Sequence, residues 1–592
     1  MSKTNSPQSA TLIERSFPRT THTLLDTYAA PAYQGFQLEA WVFDDETERQ
    51  ATEAAFNAAG IRARLRSAYK PLVHFFLEEF SWASLQSLVI EYPMLANAPC
   101  RFLLEAYPLA ALLPQGVSLR WEGIETTAID KPIQYRVQVE RCSGSQETYL
   151  VEAPNRPHQD HVGEAQLSPC GWLRLTSPQG DVSETIVETD YEALFQAAMA
   201  TLSSTPWQPA SPYFEELNFT VHLPSRDRRL AWDGEHISLA EALHEELYFS
   251  TLEYFQHRAG LALGDRSIQP GQIVPEISSQ GESAYLKVSL RSLDTLQSQR
   301  DEITELGSAQ QAIGTDQIKQ LLAALGGQSL YTTTRAGRVL EARYVEGSDR
   351  AVIISAGQHA NETSGVVGAL RAAQALSEQP QAHYVISPLE NPDGYALQSR
   401  LVATQPRHMH HAARYTAFGN DLQSQPLGQP FEHAIREQAF ATSGAGLHVN
   451  LHGYPAHEWT RPLNGYVPRG FEMWTIPKGF FLILRHQPGL ETAAEQLVEA
   501  VTHHLAQVPG LVEFNAAQIA LFETHAGALT FPMLNGFPYL ISEDAEQLTP
   551  LMLITEYPDE TLTGEPFVQA HTAQMATVVA AYNAFQALSL DS

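Results

Sequence analysis

The stretch "VIISAGQHANETSGVVGALRAAQAL", residues 352–376, decides how the fold reads. "RAVIISAG" is apolar on both faces, as an interior strand of a covered α/β sheet must be. "SGVVGALRAAQALSEQ" then reads as a helix, and "AHYVISP" as the next strand. Strand, helix, strand over so short a span is a βαβ unit. His359 and Glu362 fall in its first loop, at the C-terminal end of a sheet strand, where open α/β sheets place their sites. Three residues apart, an imidazole nitrogen and a carboxylate oxygen can converge on one ion. Zinc accepts both, and a catalytic site adds a third ligand and an open position for water. A structural hydrogen bond at a helix start explains the same pair, so the pair alone does not decide between the two.

Working outward, "RVLEARYVEG" is a strand ahead of the unit, and "SLDTLQSQRDEITELGSAQQAIGTDQIKQLLAALGG" before it reads as mostly helical. Downstream, "ISPLENPDGYAL" sets Asn391-Pro392-Asp393-Gly394 after a strand, as a tight turn. "GLHVNLHGYPAHEW" reads as a strand ending at His452, with Gly453 permitting close backbone approach. "PLMLITEYPDE" is an apolar strand that ends in Glu556.

These four fragments, in this order, resemble the zinc carboxypeptidase (funnelin) family of metallopeptidases over about residues 310 to 585. The resemblance implies an α/β C-terminal domain, 305–592, with a mixed sheet covered by helices. It implies one zinc ion held by His359, Glu362 and His452, with His448 and His457 as competitors for the third place. It implies Glu556 as general base, with Glu543 and Glu560 as competitors, and a carbonyl-polarising arginine, for which Arg407 and Arg414 stand equal. His408, His410 and His411 crowd the same segment; a second metal is one reading of them, hydrogen-bonded histidines the other. Asn420, Gln423 and Tyr539 stand as candidate substrate-binding residues.

The chain departs from the family at "GNDLQSQP". The family's Asn-Arg pair, which grips a terminal carboxylate bidentately, is replaced by Gln423 and Ser424, and neither carries charge. Either Arg461 or Arg469 takes over, or the substrate is recognised differently. The expected activity is therefore hydrolysis of a peptide or amide bond in a peptide or small amide-containing substrate. An amidase or deacylase acting on a small conjugate is the alternative within hydrolases; a non-catalytic binding protein on a peptidase scaffold is the alternative outside them.

The rest of the chain sets bounds. At 592 residues it is too long for one core. A net charge of −30, from 67 acidic and 37 basic residues, repels phosphate backbones, so nucleic acid is not an expected partner. Three cysteines, Cys100, Cys142 and Cys170, lie far apart and read as reduced thiols. The first twenty residues lack a continuous apolar stretch, and no run of about 18 apolar residues occurs, so neither a secretory signal nor a membrane span is expected. The expected location is cytoplasmic, and the oligomeric state is not readable.

Before the catalytic region the expected order is a loose tail over 1–15, a small α/β domain over 16–118, and an accessory region over 119–300 that is first β-rich and then helical. "FQLEAWVFDD" and "ETERQATEAAFNAAG" supply a strand and helix of the first. "VSLRWEGI", "QYRVQVERC", "ETYLVEA" and "GWLRLTS" supply strands of the second. "ISLAEALHEELYFSTLEYFQHRAG" opens on Ser238 and Glu241, spaced as a capping box, and closes at Gly260. Its "HEEL" is not a zinc helix, because Tyr248 stands where a second histidine would be. Its apolar stripe is expected to pack and its charges to face water.

Overall fold

The computed structural model describes residues 10–126, 133–293, 303–425 and 428–589. The chain is a mixed α/β protein whose C-terminal half is built on one nine-stranded sheet. Its strands are β1 (Gln328–Thr333), β2 (Val339–Val345), β3 (Val352–Ala356), β4 (Tyr384–Ser387), β5 (Leu447–Pro455), β6 (Phe481–His486), β7 (Met533–Leu534), β8 (Phe537–Glu543) and β9 (Leu551–Glu560). Their order across the sheet is β1-β2-β4-β3-β5-β9-β6-β8-β7. β4, β3, β5 and β9 run parallel, whereas β2 and β6 are antiparallel to their inner neighbours, so the sheet is mixed.

The central strands show why both faces must be apolar. All five residues of β3 and all nine of β5 are buried. On one face Val352, Ile354, Leu447, Val449, Leu451, Leu551 and Leu553 pack under helices Ser364–Ser377, Glu491–Leu505 and Glu565–Ala587. On the other face the period of two brings up Ser355, His448, Asn450 and His452. The chain leaves β3 toward β4 on one side while β5 lies on the other. The crevice at the C-terminal ends of β3 and β5 is thus a topological switch point.

The N-terminal half departs from the expected partition. Residues 10–15, expected to be loose, lie in the strand Ala10–Phe17, paired antiparallel with Ala284–Arg291; residues 1–9 lie outside the described residues. Strand Gln37–Val42 pairs with Gly171–Thr176, so one sheet crosses the boundary expected at 118/119. Local patterns identified these strands, but their pairing is long-range and leaves no local trace. Of the helix expected before β1, the structure has Thr315–Ala324 and a short 3-10 turn at Leu306–Ser308, and residues 294–302 lie outside the described residues.

The helix Leu239–Arg258 differs most from expectation. Sixteen of its residues are buried, among them Glu241, His244, Glu245, Glu246 and Glu253. Its charges meet partners from the C-terminal half. His411 Nδ1 lies 2.6 Å from Glu245 Oε2, and Arg461 grips Glu253 through two hydrogen bonds of 2.7 and 3.0 Å. Glu246 accepts from Asn464 N at 3.0 Å. The helix is a wedge between the two halves, not a surface element.

Candidate functional site

After β3 the backbone turns at Gly357, whose φ of +62° is the left-handed region that glycine tolerates. The loop is tied down on both sides. Glu390 N and Asn391 N donate to Ala356 O and Gly357 O at 3.0 and 2.9 Å, joining it to the loop after β4. Asp559 at the end of β9 accepts from Ser364 N at 3.0 Å, fixing the start of the next helix. Gly453 packs so closely against Asp559 that a Cβ would stand 2.1 Å from its Oδ1. Gly453 N donates to Glu362 Oε2 at 3.0 Å.

This scaffold brings His359, Glu362 and His452 together. His359 Nδ1 lies 2.8 Å from Glu362 Oε1, His452 Nδ1 lies 3.1 Å from Glu362 Oε2, and the two Nδ1 atoms are 3.0 Å apart. All three side chains are buried, and their ligand atoms lie within 4.8 Å of one another. Burial would push Glu362 up, but His359, Arg414 and His452 hold it well below the usual carboxylate range. Burial pushes His452 down to about 4, which leaves its imidazole neutral, the form that binds metal.

On its far side His359 Nε2 lies 3.2 Å from Asp421 Oδ1. A carboxylate there fixes the ring orientation, with Nδ1 toward Glu362. Asp421 is itself held by Gln423 N at 2.9 Å. Two imidazoles and one ionised carboxylate, converging and supported from behind, fit a zinc ion.

A cleft of about 180 Å³ opens over this triad. Its lining includes His359, His452, Glu556, Arg414 and Gln423. Glu556 stands directly across from His452 in the β5–β9 register. Burial, then the nearby Glu362, push its carboxyl well above the usual range, against the pull of Arg414 and Lys478. Arg414 Nη1 donates to Glu362 Oε1 at 2.6 Å. Its segment is positioned by Asn391, whose Nδ2 donates to Arg414 O and Tyr415 O at 3.3 and 3.1 Å. The Asn-Pro-Asp-Gly run is the start of helix Pro392–Val402, capped by Asn391, so its role is to hold the arginine segment in place.

Other sequence candidates lie elsewhere. Arg407 is exposed and does not line the cleft, so Arg414 alone of that pair reaches it. Asn420 is turned inward, 2.5 Å from Thr416 Oγ1, and Tyr539 packs against the core under β8; neither lines the cleft. The side chain of Ser424 lies outside the described residues. His448 bonds Ser355 Oγ at 2.6 Å below the triad, and His457 Nε2 turns to Glu241 Oε1 at 2.6 Å. Glu543 is exposed and Glu560 is buried outside the cleft lining. Arg461 is sealed against Glu253, and Arg469 pairs with Asp160 at 2.5 Å, so neither replaces the missing anchor.

Two residues that sequence reading passed over do face the cleft: Arg266 and Arg485. Arg266 comes from the N-terminal half and sits 4.7 Å over the Phe471 ring, and Arg485 is on β6. Their ion pairs are long, 3.7 Å to Asp421 and 3.8 Å to Asp544, beyond hydrogen-bond length. Arg485 carries one signal that could have found it, a cation at alternating spacing in the otherwise apolar run "FLILRH".

No family model matches the chain, and no curated protein sequence matches it. Among solved structures it is similar to a metallo-carboxypeptidase from Burkholderia cenocepacia, at 13% identity and TM-score 0.28 over 52% of this chain and 77% of the other. It is similar to carboxypeptidase A from Helicoverpa armigera, at 12% identity and TM-score 0.29 over 46% and 73%. It is also similar to thrombin activatable fibrinolysis inhibitor, at 9% identity and TM-score 0.30 over 51% and 89%. Among the described residues, no helix is long and apolar enough to cross a membrane.

Proposed function

We propose that the chain is a zinc-dependent hydrolase of the carboxypeptidase type, cutting a peptide or amide bond. The observation that carries this reading is the convergence of His359 Nδ1, His452 Nδ1 and the Glu362 carboxylate at the floor of a cleft that Glu556 and Arg414 also line. Held by these three side chains, zinc supplies Lewis-acid activation of water and carbonyl.

The remaining roles belong to the chain itself. Glu556, across the register from His452 and on the cleft wall, takes a proton from water and returns it to the leaving nitrogen. Arg414 keeps its charge at every working pH and offers it to a carbonyl oxygen that gains negative charge during attack. Asp421 holds the His359 ring in the orientation that frees Nδ1. Trp459, Phe471, Trp474 and Tyr454 give the cleft apolar walls that favour a substrate with an apolar body.

Arg266 and Arg485 bear on the missing anchor. They are partly exposed cations on the cleft wall, and they suit a substrate carboxylate. Along β9 and β6 the register runs Glu556–Phe481, Ile554–Ile483, Met552–Arg485, so Arg485 stands four residues, about 13 Å, from the level of Glu556. That span admits an amino-acid residue between the cut bond and an acidic group. The same reach suits an acylated amino acid or small conjugate, the second reading, which the uncharged Gln423 at the usual anchor position favours over an unrestricted peptidase.

Glu556→Gln tests the reading: it should keep the metal and lose about 10²–10⁴-fold in turnover. A variant with undiminished turnover excludes Glu556 as base. Comparing acyl-amino acids with their amides tests the arginine anchor, and comparing peptides with acyl-amino acids separates the two substrate readings.

A further inference from the structure

The N-terminal end of helix Leu239–Arg258 meets the segment after β5 in a second convergence of imidazoles and a carboxylate. His236 lies on the short strand His236–Ile237, Glu241 in the first turn of the helix, and His457 five residues beyond His452. Their ligand atoms lie within 4.8 Å of one another, and none of the three lines the cleft. Glu241 sits between the rings: its Oε1 is 2.6 Å from His457 Nε2, and its Oε2 is 2.7 Å from His236 Nε2.

The hydrogen bonds behind these rings resemble those behind the first triad. His236 Nδ1 lies 3.4 Å from Gly234 O, which turns Nε2 toward Glu241. His457 Nδ1 lies 3.1 Å from Thr561 Oγ1, which likewise leaves Nε2 inward. The His236 side chain is only 5% exposed, and its Nε2 faces the Glu241 carboxylate at 2.7 Å without well-aligned hydrogen-bond geometry. A buried ring nitrogen this close to a carboxylate holds a proton or a cation between the two; burial pushes the ring down, but Glu241 raises it to about 9 when it is a proton. Glu241 is meanwhile drawn away from the cap its spacing suggests. Its backbone N donates to Ser238 Oγ at 3.0 Å, but its carboxylate also accepts from Met409 N at 2.6 Å, so it is fixed from the C-terminal side.

We propose that His236, Glu241 and His457 form a second, structural metal site for a divalent transition ion, zinc by ligand type, that clips the accessory helix to the C-terminal domain. Asp227 and His408 form with His236 another group whose ligand atoms lie within 4.8 Å of one another. Two imidazoles and a carboxylate are donors that zinc takes, and they fill three of the four positions of a structural site. The site has a consequence for the cleft. His457 is two residues from Trp459, a cleft wall, so a metal here fixes the wall that the accessory helix supports.

The test is metal content per chain, measured by mass spectrometry after saturation with zinc and again with cobalt, whose visible absorption reports ligand geometry. Wild type should hold two equivalents. His236→Ala/His457→Ala should lose one and keep the other. A variant of the cleft triad, His359→Ala/Glu362→Gln/His452→Ala, should also keep one, so failure of the cleft reading and failure of this one give different counts. If the His236/His457 variant does not fold, the triad variant decides the matter by its remaining equivalent. A triad variant that is folded yet holds no metal, or a His236/His457 variant that binds as much as wild type, overturns the proposal. Either result would mean that a proton bridges His236 and Glu241.

Discussion

Replacing Arg461 with methionine should loosen the two halves of the molecule without touching the triad. The guanidinium is 2% exposed and makes two hydrogen bonds to Glu253, of 2.7 and 3.0 Å, and one to Ser250 of 3.0 Å. Its Nε lies 3.6 Å from Glu246. Methionine fills much of the volume but leaves two buried carboxylates behind. Removing one member of a buried ion pair costs about 3–5 kcal/mol, because the remaining charge is stranded. Here the stranding is partial. Glu246 keeps three donors from Leu463 and Asn464, and Glu253 keeps His161 at 3.4 Å and Arg469 at 3.5 Å. The expected loss is therefore at the low end, about 3 kcal/mol. The double variant Arg461→Met/Glu253→Leu removes both charges and should recover most of that loss, since an apolar pair of similar volume is tolerated where half an ion pair is not. Urea unfolding at constant pH measures both. A single variant within about 0.5 kcal/mol of wild type, as for an ordinary surface change, or a double variant no better than the single, would refute the view of helix Leu239–Arg258 as a charged wedge.

Three further outcomes are expected. Asp421→Asn removes the carboxylate behind His359 and should weaken zinc binding about 10–100-fold, read by chelator competition; unchanged affinity would remove Asp421 from the site. Arg485→Gln should raise KM about tenfold or more for substrates bearing an acidic group, with kcat little changed, as loss of a charge-assisted hydrogen bond predicts; equal kinetics on acidic and neutral substrates would contradict it. His525 is buried between Leu103 O and Ala110 N, and burial pushes it down to about 3. The fold thus holds the neutral ring. That stabilisation is complete above the unfolded value of about 6.5 and is lost as pH falls toward 3, amounting to about 2 kcal/mol at pH 5. His525→Gln should flatten the acid limb of stability by that amount, and superimposable limbs would show that the ring is not held neutral.

The parts of the site that could be read in the sequence were those where chemistry sits at the end of an apolar strand. His359 follows β3, His452 lies near the end of β5 and Glu556 near the end of β9, and in each case the hydrophobic run announces a buried strand and the polar residue breaks it. Arg414 could not be told from Arg407, because the difference is made by Asn391 reaching across to the backbone carbonyls of Arg414 and Tyr415. Arg266 was invisible for a stronger reason: it enters from a loop of the other half, over 90 residues before His359. The wedge helix was misjudged because charged residues are ordinarily solvated. Glu245 and Glu253 are buried only because His411 and Arg461, some 166 and 208 residues later, come to meet them. Patterning exposes local periodicity, whereas these pairings are properties of the folded chain.

The central claim is that His359, Glu362 and His452 hold a catalytic metal. An anomalous difference map collected at the zinc edge, from crystals grown without chelator, tests it most directly. A peak about 2.0–2.2 Å from His359 Nδ1, His452 Nδ1 and the Glu362 carboxylate, open toward Glu556, is the predicted result. A folded protein with no peak at that position would contradict it.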